Sequence, residues 1–341
     1  MIILDQIEPW RKILRQNFTN TEKLTVFLCL DEKNQEKILR KQKFSLNLPL
    51  RLAQKIKKND LNDPILKQFL PLSEETKTAS HFLSDPVGDT NCRLSSKLLH
   101  KYQGRVLILV TSACAMHCRY CFRQNFEYAE SNGFLFQEEI KLILEDSSIH
   151  EVILSGGDPL SLSNKQLQSL IEKLEAVPHV KRLRFHTRFP IGIPERIDEG
   201  LIEIFNNCKL QIWFVLHINH SQELDEEILS RVKKLQRTGA VILNQAVLLK
   251  GINDDAETLS HLFETLADHG ILPYYLHQLD RVQGALHFEV EEEKGLELMQ
   301  EISKKLSGYA VPKYVREIAG KEGKTPIIPE NSPKGRLPVK D

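Results

Sequence analysis

The sequence predicts an α/β protein whose core is a parallel sheet rolled into an open, partial (βα)6 barrel. Three observations carry that prediction. Six short runs rich in apolar and β-branched residues follow one another between residues 105 and 279: RVLILVTSA, EVILSGG, KRLRFHTR, QIWFVLHI, AVILNQAVLL and ILPYYLHQL. The last five begin at 151, 181, 211, 240 and 271, a repeat of about 30 residues, which is the length of one strand and its crossover helix. The runs are apolar almost continuously, as strands of a parallel sheet covered by helices must be. Eight such units close a full barrel, so six leave it open. A doubly wound sheet is the alternative arrangement of the same units.

Along the chain, residues 1–98 form a mainly helical region, with apolar residues at helical spacing in EPWRKILRQNF and LPLRLAQKIKK, broken by Asn-Asp-Pro at 62–64. No chemical motif stands out in it. The turn-rich stretch TASHFLSDPVGDTNC (78–92) marks a boundary, and the barrel is expected over 99–290. Residues 291–341 hold a last amphipathic helix, in EVEEEKGLELMQEISKKLSG, and a tail rich in Pro, Gly and Lys that by composition reads as a solvated end.

The 341 residues carry 46 Lys+Arg and 46 Asp+Glu, a net charge of zero, which argues against a strongly basic nucleic-acid binder. No run approaches the roughly 20 apolar residues of a membrane span, and the start MIILDQIEPW has acids and a proline where a leader needs a basic then apolar segment. The expected location is therefore cytoplasmic, with no membrane partner. Six cysteines are too few for a disulfide scaffold at this length, and three of them fall within eight residues.

Those three, in TSACAMHCRYCFRQ, are Cys114, Cys118 and Cys121, spaced C-x3-C-x2-C just after the first strand of the series. Loops at the carboxyl ends of parallel strands are where such folds bind ligands. Zinc would want a fourth ligand, and His117 is too close in sequence to two of the thiolates to complete a tetrahedron comfortably. Three thiolates for four irons would instead leave one iron open to bind substrate chemistry. SGGDP (155–159) follows the second strand; Gly156 and Gly157 allow close backbone approach, and Asp158 can accept from an ammonium. The cysteine spacing resembles the radical S-adenosylmethionine superfamily. That resemblance implies a 4Fe-4S cluster on the three cysteines, S-adenosylmethionine on its open iron, and contacts from Gly156, Gly157 and Asp158 to the methionyl amine.

HTRFPIGIPERI (186–197), HINH (217–220), NQAVLLKGIND (244–254) and LDRVQGALHF (279–288), taken together, are similar to the lysine 2,3-aminomutase family, over about residues 90–326. The resemblance implies an isomerase that adds pyridoxal 5'-phosphate to the cluster and moves the amino group of L-lysine from C2 to C3. By residue, it implies that Lys324, in REIAGKEGKTP, binds pyridoxal phosphate covalently; the loop carries Lys321 and Glu322 where relatives have glycines. It implies that Lys101, Tyr102 and Arg105, in HKYQGR, hold the cofactor's phosphate and ring. Arg123 would bind the substrate carboxylate, and Asp280 and Glu317 its side-chain ammonium. His217 and Gln245 would contact S-adenosylmethionine.

Glu317 stands where the free-lysine enzymes carry aspartate, and no cysteine follows Cys208 to bind the zinc those enzymes hold between subunits. This resembles the branch that makes (R)-β-lysine for attachment to elongation factor P by a dedicated lysyl ligase. Partners so implied are L-lysine, a reducing electron donor, that ligase and its factor, and a homodimer or higher assembly. A free-lysine 2,3-aminomutase of β-lysine metabolism is the second reading. A glutamate 2,3-aminomutase is the third, which Asp280 opposes because it would repel a side-chain carboxylate. From another class stands a non-catalytic zinc or iron-sulfur protein binding RNA or a protein.

Overall fold

The structure, a computed structural model, describes residues 8–128 and 136–329. The start read above for a leader and the last part of the tail, 330–341, lie outside the described residues apart from 8–10. Among the described residues a single sheet holds β1 (Leu98–Tyr102), β2 (Arg105–Thr111), β3 (Glu151–Gly156), β4 (Arg182–Thr187), β5 (Gln211–His217), β6 (Val241–Val247), β7 (Leu272–His277), β8 (Lys313–Arg316) and β9 (Thr325–Pro326). Their order in the sheet is their order in the chain. Every pair from β2 to β8 is parallel, while β1 on β2 and β9 on β8 are antiparallel.

A monotonic strand order with right-handed crossovers puts the helices on one face and has no point where the order reverses. The doubly wound alternative is thereby set aside in favour of the open barrel. The six expected strands are β2 to β7. Two further pieces were not expected as strands. HKYQGR turns the β1–β2 hairpin, and the tail read as a solvated end supplies β8, a seventh parallel strand, and β9. The tail is held because Tyr314 is buried and its hydroxyl donates to Gln278 Oε1. The helix Glu292–Lys305 can lie over that ring only because residue 295 is glycine, whose missing Cβ leaves the space the Tyr314 hydroxyl occupies.

The crossover helices follow from local chemistry. Asn164–Glu175 starts with a capping box, Ser163 accepting from Gln166 N–H while the Gln166 side chain accepts from Ser163 N–H, and buries Leu167, Leu170, Ile171 and Leu174 on one face. Beneath the neighbouring helix, Phe185 of β4 stacks on Phe214 of β5 at 4.9 Å, with Phe205 edge-on to both. Register then decides the opposite face. His186 lies beside Val215, His217 beside Gln245, Gln245 beside Tyr275, and Val247 beside His277. Since side chains alternate along a strand, His186, His217, Gln245, Tyr275 and His277 all face the barrel interior.

The N-terminal region packs against the barrel. One continuous hydrophobic cluster contains Trp10, Leu52, Phe69, Phe189 and Tyr314. Trp10 is fully buried, edge-on to Phe189 at 5.2 Å and beneath the Arg196 guanidinium at 5.0 Å. Trp10→Ala should destabilise the protein by about 3–5 kcal/mol, read from chemical denaturation. A loss below about 0.5 kcal/mol would mean that this segment does not dock.

Candidate active site

The carboxyl ends of the parallel strands converge on one polar chamber. Ser155 stands near the end of β3, His186 near the end of β4, His217 and His277 end β5 and β7, and Glu317 follows β8 directly. The cysteine loop leaves the end of β2, the position barrel folds use for chemistry.

That loop is seated by backbone contacts from both sides. From the barrel, Gly157 N–H donates to Thr111 O at 2.7 Å and Asp158 N–H to Ala113 O at 2.8 Å. Gly156 has a φ of +120°, and a Cβ there would stand 2.5 Å from Thr111 O. A Cβ on Gly157 would meet the Ala113 carbonyl head-on. From the N-terminal region, His117 N–H donates to Asn47 O, the Asn47 side chain donates to Cys114 O, and Arg119 pairs with Glu75. His117 points away from the sulfurs: its ring stacks on Phe44 at 4.8 Å and its Nδ1 meets Ser45 O at 2.9 Å.

Among the described residues no three His, Cys, Asp or Glu side chains are gathered tightly enough to hold a metal ion on their own. The three thiols do lie within one another's field. Burial pushes the Cys114 thiol up, with Asp158 and then Cys121 and Cys118 adding to it, and burial with Cys118 pushes Cys121 to about 11. Three mutually interacting soft thiols on one tight turn are the donor set an iron-sulfur cluster takes, and binding iron must displace their protons.

Asp158 anchors the turn between the cysteine loop and the next strand exit. It is buried, and its oxygens accept from Leu160 N–H, Arg188 N–H, Phe189 N–H and the Thr187 hydroxyl. Burial raises its carboxyl to about 6 against those donors. Its contacts staple the exits of β3 and β4 together.

On the far side of the chamber, Glu317 is the meeting point of residues from both edges of the sheet. Its carboxylate, 3% exposed, is 2.6 Å from Lys101 Nζ and 2.5 Å from Lys324 Nζ. Both oxygens accept from the Tyr102 hydroxyl at 2.6 Å. Burial raises the Glu317 carboxyl, and Lys324, Lys101 and Tyr102 more than offset it, so it stays below the usual range. The Arg105 guanidinium covers the Tyr102 ring at 4.5 Å. Asp280 lies beside this group: burial lifts its carboxyl to about 6, Lys324 pulling it down and Glu317 pushing it up. A cleft bordered by Leu83, Asp280, Arg281, Glu317 and Ala319 leads to both acids.

Three contributors were not among the residues read from the sequence as site residues: Asp89, His186, which opens the HTRFPIGIPERI block, and His277. Asp89, in the stretch taken as a boundary, accepts from Arg123 Nε at 2.9 Å and lies 3.7 Å from Lys101 Nζ. Arg123 Nη1 also reaches Ser155 Oγ at 3.0 Å. His186 and His277 have buried Nε2 atoms without a hydrogen-bond partner among the described residues, and burial keeps both imidazoles neutral. His217, held neutral by burial with a pKa of about 3, meets the Tyr120 hydroxyl at 3.3 Å. Gln245 sits between His217 and Tyr275 in register. An orphaned polar atom in a buried chamber is one that a bound polar group can satisfy.

Residues 102–189 match the family described as a 4Fe-4S single cluster domain. Over 326 residues, 94% of this chain and 94% of the relative, the sequence is 42% identical to the L-lysine 2,3-aminomutase of Escherichia coli (strain K12). The chain belongs to the lysine 2,3-aminomutase family. It is therefore an isomerase, and with this family go a 4Fe-4S cluster, S-adenosylmethionine and pyridoxal phosphate. The L-lysine 2,3-aminomutase of Clostridium subterminale is 32% identical over 94% of this chain and 78% of its own length. Among solved structures, a spore photoproduct lyase variant superposes with a TM-score of 0.44 at 15% identity, covering 67% of this chain and 78% of that one. Among the described residues no helix is long and apolar enough to cross a membrane.

Because Gly157 touches the cysteine loop backbone, Gly157→Ala should lower the iron and sulfide bound after anaerobic reconstitution several-fold while the fold persists. Full iron occupancy in that variant would show that the loop tolerates displacement.

Proposed function

We propose that this lysine 2,3-aminomutase makes (R)-β-lysine from L-α-lysine for attachment to elongation factor P by a dedicated ligase, in the cytoplasm and as a homo-oligomer, with its electron from a low-potential donor. The observation that carries the site reading is the convergence of Lys324, Lys101 and Tyr102 on Glu317, beside Asp280. When bound, the cluster and S-adenosylmethionine supply one-electron chemistry for hydrogen abstraction, and pyridoxal phosphate supplies the carrier through which nitrogen migrates.

The chain's own residues have separable tasks. Cys114, Cys118 and Cys121 ligate the cluster, while Gly156, Gly157, His217 and Gln245 line the S-adenosylmethionine side. Lys324 binds pyridoxal phosphate covalently, with Lys101 and Arg105 offering positive charge to its phosphate and Tyr102 a ring face or hydroxyl. Arg123, held by Asp89 and Ser155, keeps guanidinium donors for the substrate carboxylate. Glu317 and Asp280 would take the side-chain ammonium of lysine, in place of the ion pair that Glu317 makes here with Lys324. Two acids there also disfavour glutamate as substrate. The elongation factor reading is supported by Glu317, which stands where the free-lysine enzymes carry aspartate.

Lys324→Ala should abolish the bound pyridoxal phosphate absorbance and lysine isomerisation while retaining iron; Cys118→Ala should do the reverse for the two cofactors and also lose activity. A non-catalytic zinc or iron-sulfur protein would show no such pair of signatures. Asp280 loses its charge as pH falls through about 6, so kcat/KM for lysine should fall across that range. A flat profile would assign the ammonium to another group. Deleting the gene should leave elongation factor P without its β-lysyl group; normal modification in the deletion strain would favour the free-lysine role.

A further inference from the structure

Arg188 follows β4 and is 6% exposed. Its guanidinium divides among four partners. Nη1 donates to Cys118 Sγ at 2.8 Å and to the Tyr120 hydroxyl, and Nη2 donates to Gln68 Oε1 and Glu223 Oε2, both at 2.7 Å. The partners are themselves fixed. Glu223 is fully buried, and its Oε1 accepts from Asn219 N–H and His220 N–H and from Gln68 Nε2. The Asn219 side chain donates to both Tyr120 and Gln68. The Phe69 ring closes one side of the guanidinium at 4.9 Å. The cation therefore cannot swing away from the sulfur.

A donor and a permanent positive charge on a cluster sulfur stabilise the reduced cluster, which carries one more electron, and a buried site magnifies the effect. Arginine does not release its proton in a protein, so this bias is constant with pH. Glu223 carries the opposite charge on the far side of the same guanidinium, and Gln68, from the N-terminal region, is the neutral partner between them. We propose that Arg188 is a positioning residue that raises the reduction potential of the iron-sulfur cluster through Cys118, with Glu223 offsetting part of its charge. The proposal rests on the reading that Cys118 is a cluster ligand.

The test is a dithionite-poised redox titration of the full-length, anaerobically reconstituted protein, followed by the electron paramagnetic resonance signal of the reduced cluster. Two isosteric changes should move the midpoint in opposite directions. Glu223→Gln removes the offsetting anion and should shift it to more positive potential; Gln68→Glu adds one and should shift it to more negative potential. Arg188→Gln should shift it furthest to the negative side, with Arg188→Lys recovering part of the loss. Shifts of one sign in both isosteric variants, or none in either, would overturn the proposal, because a merely structural role does not distinguish the sign of a charge. If Arg188→Gln fails to fold, the two isosteric variants and Arg188→Lys still decide. Full iron content in Cys118→Ala would instead remove the ligand reading beneath it.

Discussion

The sheet is open, yet its two edges are joined by one buried carboxylate. Lys101 and Tyr102 belong to β1 at one edge, and Glu317 and Lys324 flank the β8–β9 turn at the other, more than 200 residues away in sequence. No strand pairing spans that gap among the described residues, so polar contacts do what hydrogen-bonded strands do in a closed barrel. Removing one member of such a buried group leaves opposite charges uncompensated, typically a cost of about 3–5 kcal/mol. The same cluster is thus the seam of the barrel and the floor of the site. A seam made of ionisable side chains can rearrange around a ligand in a way that a hydrogen-bonded strand pair cannot.

Around that seam the charges are matched locally. Glu317, Asp280 and Asp89 face Lys101, Lys324 and Arg123, three acids to three bases. This is the small-scale form of a chain with 46 charges of each sign. A zwitterionic substrate has to exchange ion pairs with such a chamber, because entering a field of one sign would favour only one of its ends. Burial keeps the exchange selective, lifting Asp280 toward neutrality while the flanking lysines keep Glu317 charged.

The N-terminal region is more than a cap on the hydrophobic core. Asn47, Glu75 and Phe44 hold the cysteine loop from outside, Gln68 reaches the Arg188 guanidinium, and Asp89 enters the chamber. Asp89 gets there because Leu83 bridges to Val282, beside the Asp280 block, and because Gly88 has a φ of +68° with Ala319 against it. None of these residues stands in a motif. Each acts through one or two isolated contacts, from loops for Phe44 and Asn47 and from short helical turns for Gln68, Glu75 and Asp89, and segments so short carry no periodicity from which a destination could be read.

By itself, the sequence determined the six central strands, the cysteine loop and the order of the motif blocks, because apolar periodicity and close spacing are local properties that survive any tertiary arrangement. Six strands recurring about every 30 residues could be read without coordinates, and so could three thiols within eight residues. Only the tertiary structure decided that the tail is β8 and β9, that Asp158 joins the exits of β3 and β4, and that His186, His277 and Asp89 share the chamber. Those outcomes depend on register and on which edge meets which. A side chain's role changes when its strand shifts by one residue, and composition holds no record of that shift.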